Sequence, residues 1–145
     1  GAFGAMALFV SLGLRASLLA GLDKSAPIAL ILTECLSRLT PIWLMVIMPY
    51  VTADAEAKSR QVTRAQFPQG LLATFFSAST CAAGFWFQLV SFQQLVGLLT
   101  AIVTTGIICG WRFHRRAGGI TGDFLGAAQQ IGQVIMLAVL LWPLD

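Results

Sequence analysis

Long apolar runs separated by short polar, glycine or proline clusters dominate the chain. The first run extends from about Ala2 to Ala20 and stops at Gly21, Asp23 and Lys24. The second begins at Pro27, a residue suited to the first helical turn, and ends near Pro49 and Tyr50. A polar loop follows from Thr52 to Gln69, closed by Pro68 and Gly70. From Leu71 to Cys109 no residue is charged. That stretch is too long for one membrane crossing and suits two, at roughly 1.5 Å per residue across roughly 30 Å of hydrocarbon. The turn between them is expected from Gly84 to Gln94, where Gln88, Gln93 and Gln94 gather beside Trp86 and several Phe. Aromatic rings with a polar edge favour the headgroup level. A re-entrant hairpin is the other arrangement this stretch allows. A second polar loop covers Gly110 to Gly122, and the last run goes from Phe124 to Trp142. The pattern predicts an all-α, polytopic membrane bundle of about five transmembrane helices, one membrane domain over 1–145.

Composition agrees. Hydrophobic residues make up 57% and charged residues 10% of the 145, against about 25% charged in soluble domains. A water-soluble globule is close to excluded, and the lipid bilayer is the expected surrounding. Nine Lys and Arg against six Asp and Glu leave a net charge of +3, too little for a nucleic-acid partner. The chain opens on Gly1 with no basic segment ahead of an apolar one, so no signal peptide is expected in it and it reads as a piece of something longer. Cys35, Cys81 and Cys109 are far apart in apolar runs. Their spacing matches neither a disulfide framework nor a zinc site, which leaves packing as their role.

With five spans, the two polar loops share one side. That side holds Lys58, Arg60, Arg64, Arg112, Arg115 and Arg116, whereas Lys24 and Arg15 lie toward the other. The positive-inside rule puts the richer side in the cytoplasm, with the N-terminus inside and the C-terminus outside.

Ionisable groups inside a membrane are costly and are functional candidates by default. Glu34 and Arg38 are four residues apart on the second helix, within ion-pair reach on one face. One reading is a neutralised pair that orients the helix. The other has Arg38 facing a polar cavity and holding a phosphate, for which a guanidinium fork is well shaped. Pro41 would loosen the ladder beside it.

The segment Arg115-Arg116-Ala117-Gly118-Gly119-Ile120-Thr121-Gly122-Asp123 combines basic residues with a glycine-rich turn entering a helix. Glycines let backbone approach a ligand closely, and a helix N-terminus is a ready anion site. No Gly-Lys-Ser/Thr follows, so this is not a Walker loop. Asp123 is the natural N-cap, with Thr121 the second choice. Beyond capping, the Asp123 carboxylate is a candidate ligand for a metal or a substrate hydroxyl. Asp123, Gly126, Gln130 and Gln133 fall on one helical stripe, with Gln129 beside it. Such a stripe must face protein or water, as packing glue with the small Gly126, Ala127 and Gly132, or as a polar cleft open to the cytoplasm. His114, the single histidine, is expected to be a solvated juxtamembrane residue. Lys58, Arg60 and Arg64 are expected to touch lipid headgroups.

The run from Gly118 through Thr121-Gly122-Asp123-Phe124-Leu125-Gly126-Ala127 to Gln130 resembles the GG-x-TGD-x-LGA signature of the cobalamin synthase family, the adenosylcobinamide-GDP ribazoletransferases. Gly1-Ala2-Phe3-Gly4 looks like that family's helix start after its acidic region. Arg38 with Pro41 is similar to its mid-helix arginine, and Arg112, Arg115 and Arg116 precede the double glycine. The resemblance covers the whole chain but only about the C-terminal three-fifths of a typical member. It lacks the upstream aspartate-rich segment thought to hold Mg²⁺. The chain also departs from the family inside the signature helix. Members commonly carry an acid where Gln133 stands, and some carry one at Gln130.

The resemblance implies a phosphotransferase of the bacterial inner membrane with cytoplasmic active-site loops. Its substrates would be adenosylcobinamide-GDP and α-ribazole or its 5′-phosphate, its cofactor Mg²⁺, and its products adenosylcobalamin or its 5′-phosphate and GMP. Asp123 and Arg38 are then the candidate catalytic residues, with Asp123 also a metal ligand. Arg112, Arg115 and Arg116 would attract phosphate. Gly118, Gly119, Thr121 and Gly122 would contact substrate through backbone or cap, and Gln130 with Gln133 through hydrogen bonds. Association of copies into a homo-oligomer is left open. The CDP-alcohol phosphotransferases need aspartates spaced along one helix, which this chain lacks. A non-catalytic membrane subunit or small transporter, with Glu34, Arg38 and the glutamines lining a solute path, is the rival from another class.

Overall fold

The computed structural model describes residues 2–51 and 65–142. Lys58, Arg60 and Arg64 lie outside the described residues. Six α-helices follow one another: α1 (Ala2–Leu22), α2 (Ala26–Ser37), α3 (Leu39–Ile47), α4 (Phe67–Trp86), α5 (Phe92–Ala117) and α6 (Gly122–Leu141). A short 3-10 turn, Asp23–Ser25, joins α1 to α2. Among the described residues the only strand-like feature is a parallel bridge between Tyr50 and Ile120.

The starts of the helices follow local chemistry. Gln66 and Gln69 form a reciprocal capping box at the head of α4. Ser91 and Gln94 do the same for α5, satisfying donors that a helix start leaves free. The turn between α4 and α5 falls at 87–91, inside the predicted interval, with Gln88 at φ 55°. The α2–α3 run breaks at Arg38. Pro41 has no N–H to return to the carbonyl of Ser37, and the break sits where that bond is missing.

Three stretches are long and apolar enough to cross a membrane: Gly4–Ile47, Phe92–Ala117 and Gly122–Leu141. The count of about five therefore holds only roughly. Gly4–Ile47 folds back at Asp23–Ser25 into two legs. α4 falls short because it carries Thr74, Ser77, Ser79 and Thr80. Three of those hydroxyls are satisfied within the helix, by the carbonyls of Gly70, Phe75 and Phe76. The predicted loop from Gly110 to Gly122 is mostly helix, because α5 continues to Ala117. Basic side chains in its last turn complement the helix dipole, and Gly118, at φ 72°, is the first residue to turn the chain.

Contacts set the directions. α5 runs antiparallel to α6, with Gln94 donating to the Leu140 carbonyl and Phe113 stacked on Phe124 at 4.5 Å. α4 runs back along α2–α3: Cys35 lies beside Ser77 and Thr80, and the Trp43 indole donates to Thr74. The ends of α3 and α5 and the starts of α4 and α6 thus meet at one end of the bundle, as the predicted pairing of the polar loops requires.

One polar cluster clamps α1, α2 and α6 inside the apolar layer. Arg15 Nη2 lies 2.9 Å from Glu34 Oε1, and Arg15 Nη1 donates to Gln130 Oε1 at 3.0 Å. Gln133 Nε2 donates to the same Glu34 oxygen at 2.6 Å. The predicted Glu34–Arg38 pair is therefore not formed. Glu34 turns toward α1 and α6, while Arg38 is exposed at the α2–α3 break and has no bonded partner among the described residues.

Two stability predictions follow from these contacts. A Cβ at Gly119 would collide with the Pro49 carbonyl and Val51, so Gly119→Ala should cost about 1–3 kcal/mol. At Gly126 nothing lies within 4 Å, so Gly126→Ala should be neutral or slightly stabilising; thermal unfolding in detergent compares the two. Glu34→Ala leaves Gln133 Nε2 without its acceptor and Arg15 uncompensated, held by Gln130 alone, and should cost roughly 2 kcal/mol or more, read from denaturant unfolding in mixed micelles.

Candidate functional site

The site is built where α3 and α6 meet the turn after α5. Ile120 N donates to the Pro49 carbonyl at 3.0 Å, and Val51 N donates to the Ile120 carbonyl at 2.8 Å. These bonds lay Pro49–Val51 alongside Gly119 and Ile120, and Ile120 is fully buried. The absence of a Cβ at Gly119 is what allows the approach. Gly119 therefore presents its backbone to Pro49 rather than to open space.

The cap differs from the first sequence choice. Thr121 is the N-cap, its Oγ1 accepting from Phe124 N at 3.3 Å. Gly122 N donates to the Tyr50 hydroxyl at 3.1 Å. Two first-turn amides are thus already engaged. Asp123, one residue inside the helix, is exposed and makes no bond with a described residue. The extended backbone of Thr121 (φ −125°, ψ 165°) favours it as cap, which frees the Asp123 carboxylate while keeping it at the positive end of the helix dipole.

Arg112, His114, Arg115 and Arg116 line the exposed last turns of α5, just before Gly118. Arg115 sits over the Trp111 ring at 4.8 Å, a cation–π contact that holds one guanidinium in place. Asp123 is the one acid among the described residues at this end. The arrangement is a cationic rim with a single free carboxylate beside a helix start.

The other predicted residues lie elsewhere. Gln130 and Gln133 bind Arg15 and Glu34 in the interior, so their stripe packs against α1 and α2. Arg38 stands at the α2–α3 break, roughly 15 Å below Met48 at 1.5 Å per residue, next to a cavity of about 560 Å³ that it lines with Glu34 and Ser77. The structure does not bring Arg38 to Asp123. Tyr50 is the residue the sequence reading missed. A tyrosine just after a proline at a span's end was the only signal, and its partner lies 72 residues away.

Among the described residues no group of three His, Cys, Asp or Glu could hold a metal ion. The cysteines are free.

The family model for cobalamin-5-phosphate synthase matches residues 1–141. The adenosylcobinamide-GDP ribazoletransferase of Shewanella piezotolerans is 34% identical over 145 residues, covering 97% of this chain and 54% of that protein. The protein of the same name from Leptothrix cholodnii is 33% identical over 136 residues, covering 90% and 51%. That from Rhizobium etli is 34% identical over 149 residues, covering 97% and 55%. The chain spans about half the length of these curated relatives. No solved structure matches it. A helical membrane chain with the Gly118–Asp123 turn at one end, matched over nearly all its length, belongs to the cobalamin-5-phosphate synthase family.

Proposed function

We propose that this chain forms part of the membrane enzyme that joins adenosylcobinamide-GDP to α-ribazole or its 5′-phosphate, releasing GMP and giving adenosylcobalamin or its 5′-phosphate. The observation that carries the reading is the free Asp123 carboxylate at the start of α6, beside Arg112, Arg115 and Arg116. The three relatives' shared name, adenosylcobinamide-GDP ribazoletransferase, supplies the two reacting partners.

Phosphoryl transfer depends on charge neutralisation and alignment more than on covalent machinery. A hydroxyl of the ribazole attacks the phosphate next to cobinamide, a new phosphoester bond forms, the bond to GMP breaks, and the hydroxyl proton is released. Arg112, Arg115 and Arg116 draw the diphosphate to the rim. Gly118, exposed and without a side chain, lets it approach the turn. Gly119, Thr121 and Gly122 act by holding that turn in shape.

Mg²⁺ is commonly held by one or two carboxylates together with substrate phosphates rather than by an all-protein cage. A single exposed carboxylate facing an anion site fits that habit, so Asp123 would supply one ligand, and the bound ion would neutralise charge on the diphosphate. Arg38, Gln130 and Gln133 lie too deep to touch the same phosphates. Their part is structural for the glutamines and a separate anion contact for Arg38. The basic rim faces the cytoplasm of a bacterial inner membrane in this reading, following the charge bias of the loops.

In the full-length enzyme Asp123→Ala should abolish turnover while leaving membrane insertion and thermal stability intact; near-normal turnover rejects the assignment. Arg115→Gln with Arg116→Gln should raise the KM for adenosylcobinamide-GDP about tenfold and flatten its dependence on ionic strength. A cysteine placed at Arg116 should react with impermeant maleimide only from the cytoplasmic side.

A further inference from the structure

Among the described residues, three charged side chains stand within the apolar layer: Arg15, Glu34 and Arg38. Arg15 and Glu34 neutralise each other at 2.9 Å. Arg38 is exposed and bonds to none of the described residues. The layer is therefore left with one uncompensated positive charge. Along α2 and α3, Arg38 lies roughly 18 Å from Ala26 and roughly 14 Å from Ile47, at 1.5 Å per residue. That is too deep for the guanidinium to snorkel to either surface, and a charge held there needs a partner inside the membrane.

Arg38 opens onto the groove of about 560 Å³ between α2–α3 and α4. From Leu30 to Ile42 the groove follows α2 and α3 for roughly 18 Å, about three helical turns. On the α4 side it is lined by Ala73 and Ser77, small residues one turn apart. Ile31 and Phe76 project beside it, 64% and 60% exposed. Small residues next to protruding ones suit close packing of another membrane helix. In addition, α4 is 20 residues long but too polar to count as a span, so a helix laid along it shields it from lipid.

The occupant must bring a negative charge to mid-depth. A lipid headgroup stays at the surface, and an acyl chain carries no charge. The other described acids, Asp23 and Asp123, lie at the two ends of the bundle. A second copy brings a Glu34 that its own Arg15 already neutralises, together with another Arg38, and so doubles the surplus. The relatives, by contrast, carry nearly as much chain again as is present here, enough for several further helices at roughly 20 residues each.

We propose that this groove seats a membrane helix from the remaining half of the full-length protein, and that one Asp or Glu at mid-depth on that helix pairs with Arg38. The helix is apolar where it meets Ile31, Ile42 and Phe76. The ion pair fixes its depth and rotation, the register role for which buried ion pairs are best attested.

The test uses the full-length protein in phosphatidylcholine nanodiscs, with p-benzoylphenylalanine in place of Ile31. Irradiation should give a crosslink to a peptide outside residues 1–145, on a helix bearing an Asp or Glu within about ten residues of the crosslinked position. In the protein without the photoreactive group, Arg38→Gln should lower the thermal midpoint by about 5 °C or more, because it strands that carboxylate. Changing the acid to its amide should cost a similar amount alone and nothing further on top of Arg38→Gln. Crosslinks only to lipid, only to a second copy, or to a helix with no acid in that range overturn the proposal. So do an unchanged midpoint for Arg38→Gln and additive losses in the double variant. A loss that appears only with adenosylcobinamide-GDP bound gives Arg38 to the substrate and overturns it likewise. Neither readout involves turnover, so the pairing can fail while the proposed reaction stands, and the reverse.

Discussion

Two backbone hydrogen bonds, Ile120 N to the Pro49 carbonyl and Val51 N to the Ile120 carbonyl, tie the end of α3 to the turn between α5 and α6. The candidate site depends on that tie. It requires a residue without a Cβ at 119, because the Pro49 carbonyl occupies the space a side chain would take. It also requires the left-handed backbone at Gly118. Once formed, it puts the Tyr50 hydroxyl against Gly122 and leaves Thr121 as the cap. Asp123 is then left unbonded next to the arginines of α5. The glycines of the signature are thus explained first by how the turn is held, and only through that by what it binds.

The interior answers a second constraint. In hydrocarbon a polar group needs a partner within the protein. Arg15, Glu34, Gln130 and Gln133 meet that need together, so α1, α2 and α6 are joined by charge-assisted bonds as well as by packing. Glu34 accepts from two directions through one oxygen. The unpartnered buried side-chain atoms among the described residues, Thr40 Oγ1, Thr105 Oγ1 and Gln133 Oε1, all belong to α3, α5 and α6. Those helices approach closely there: a Cβ at Gly132 would meet Thr105 at 3.6 Å. Small residues permit the contact, and the contact leaves little room for the hydroxyls to find acceptors.

Much of this was legible along the chain. Apolar runs, prolines and glycine clusters place the helices within a few residues, except that α5 continues to Ala117, eight residues past the expected end at Cys109, because burial in lipid and the missing proline N–H act locally. The length of the uncharged stretch 71–109 demanded two legs, and the structure divides it at 87–91. The Gly118–Asp123 motif was visible as a turn into a helix. Local spacing misled where two solutions were equally good. Glu34 and Arg38 have the spacing of a pair, yet the carboxylate instead takes Arg15 of the neighbouring helix, itself bonded to Gln130, and Gln133 of α6. Asp123 and Thr121 can both cap a helix, and the backbone path imposed by Pro49–Val51 selected Thr121.

The sequence by itself determined that the chain is a helical membrane protein, where its helices begin and break, and which end carries the positive charge. Each of these follows from properties of a single segment in contact with lipid, water or its own backbone. Only the tertiary structure decided which polar groups meet. The Arg15–Glu34–Gln133 clamp, the Tyr50 hydroxyl under Gly122 and the empty hydroxyl of Thr40 each join or separate residues far apart in the chain. Their geometry depends on how neighbouring helices are rotated and set in depth, and hydrophobic periodicity carries too little information to fix either.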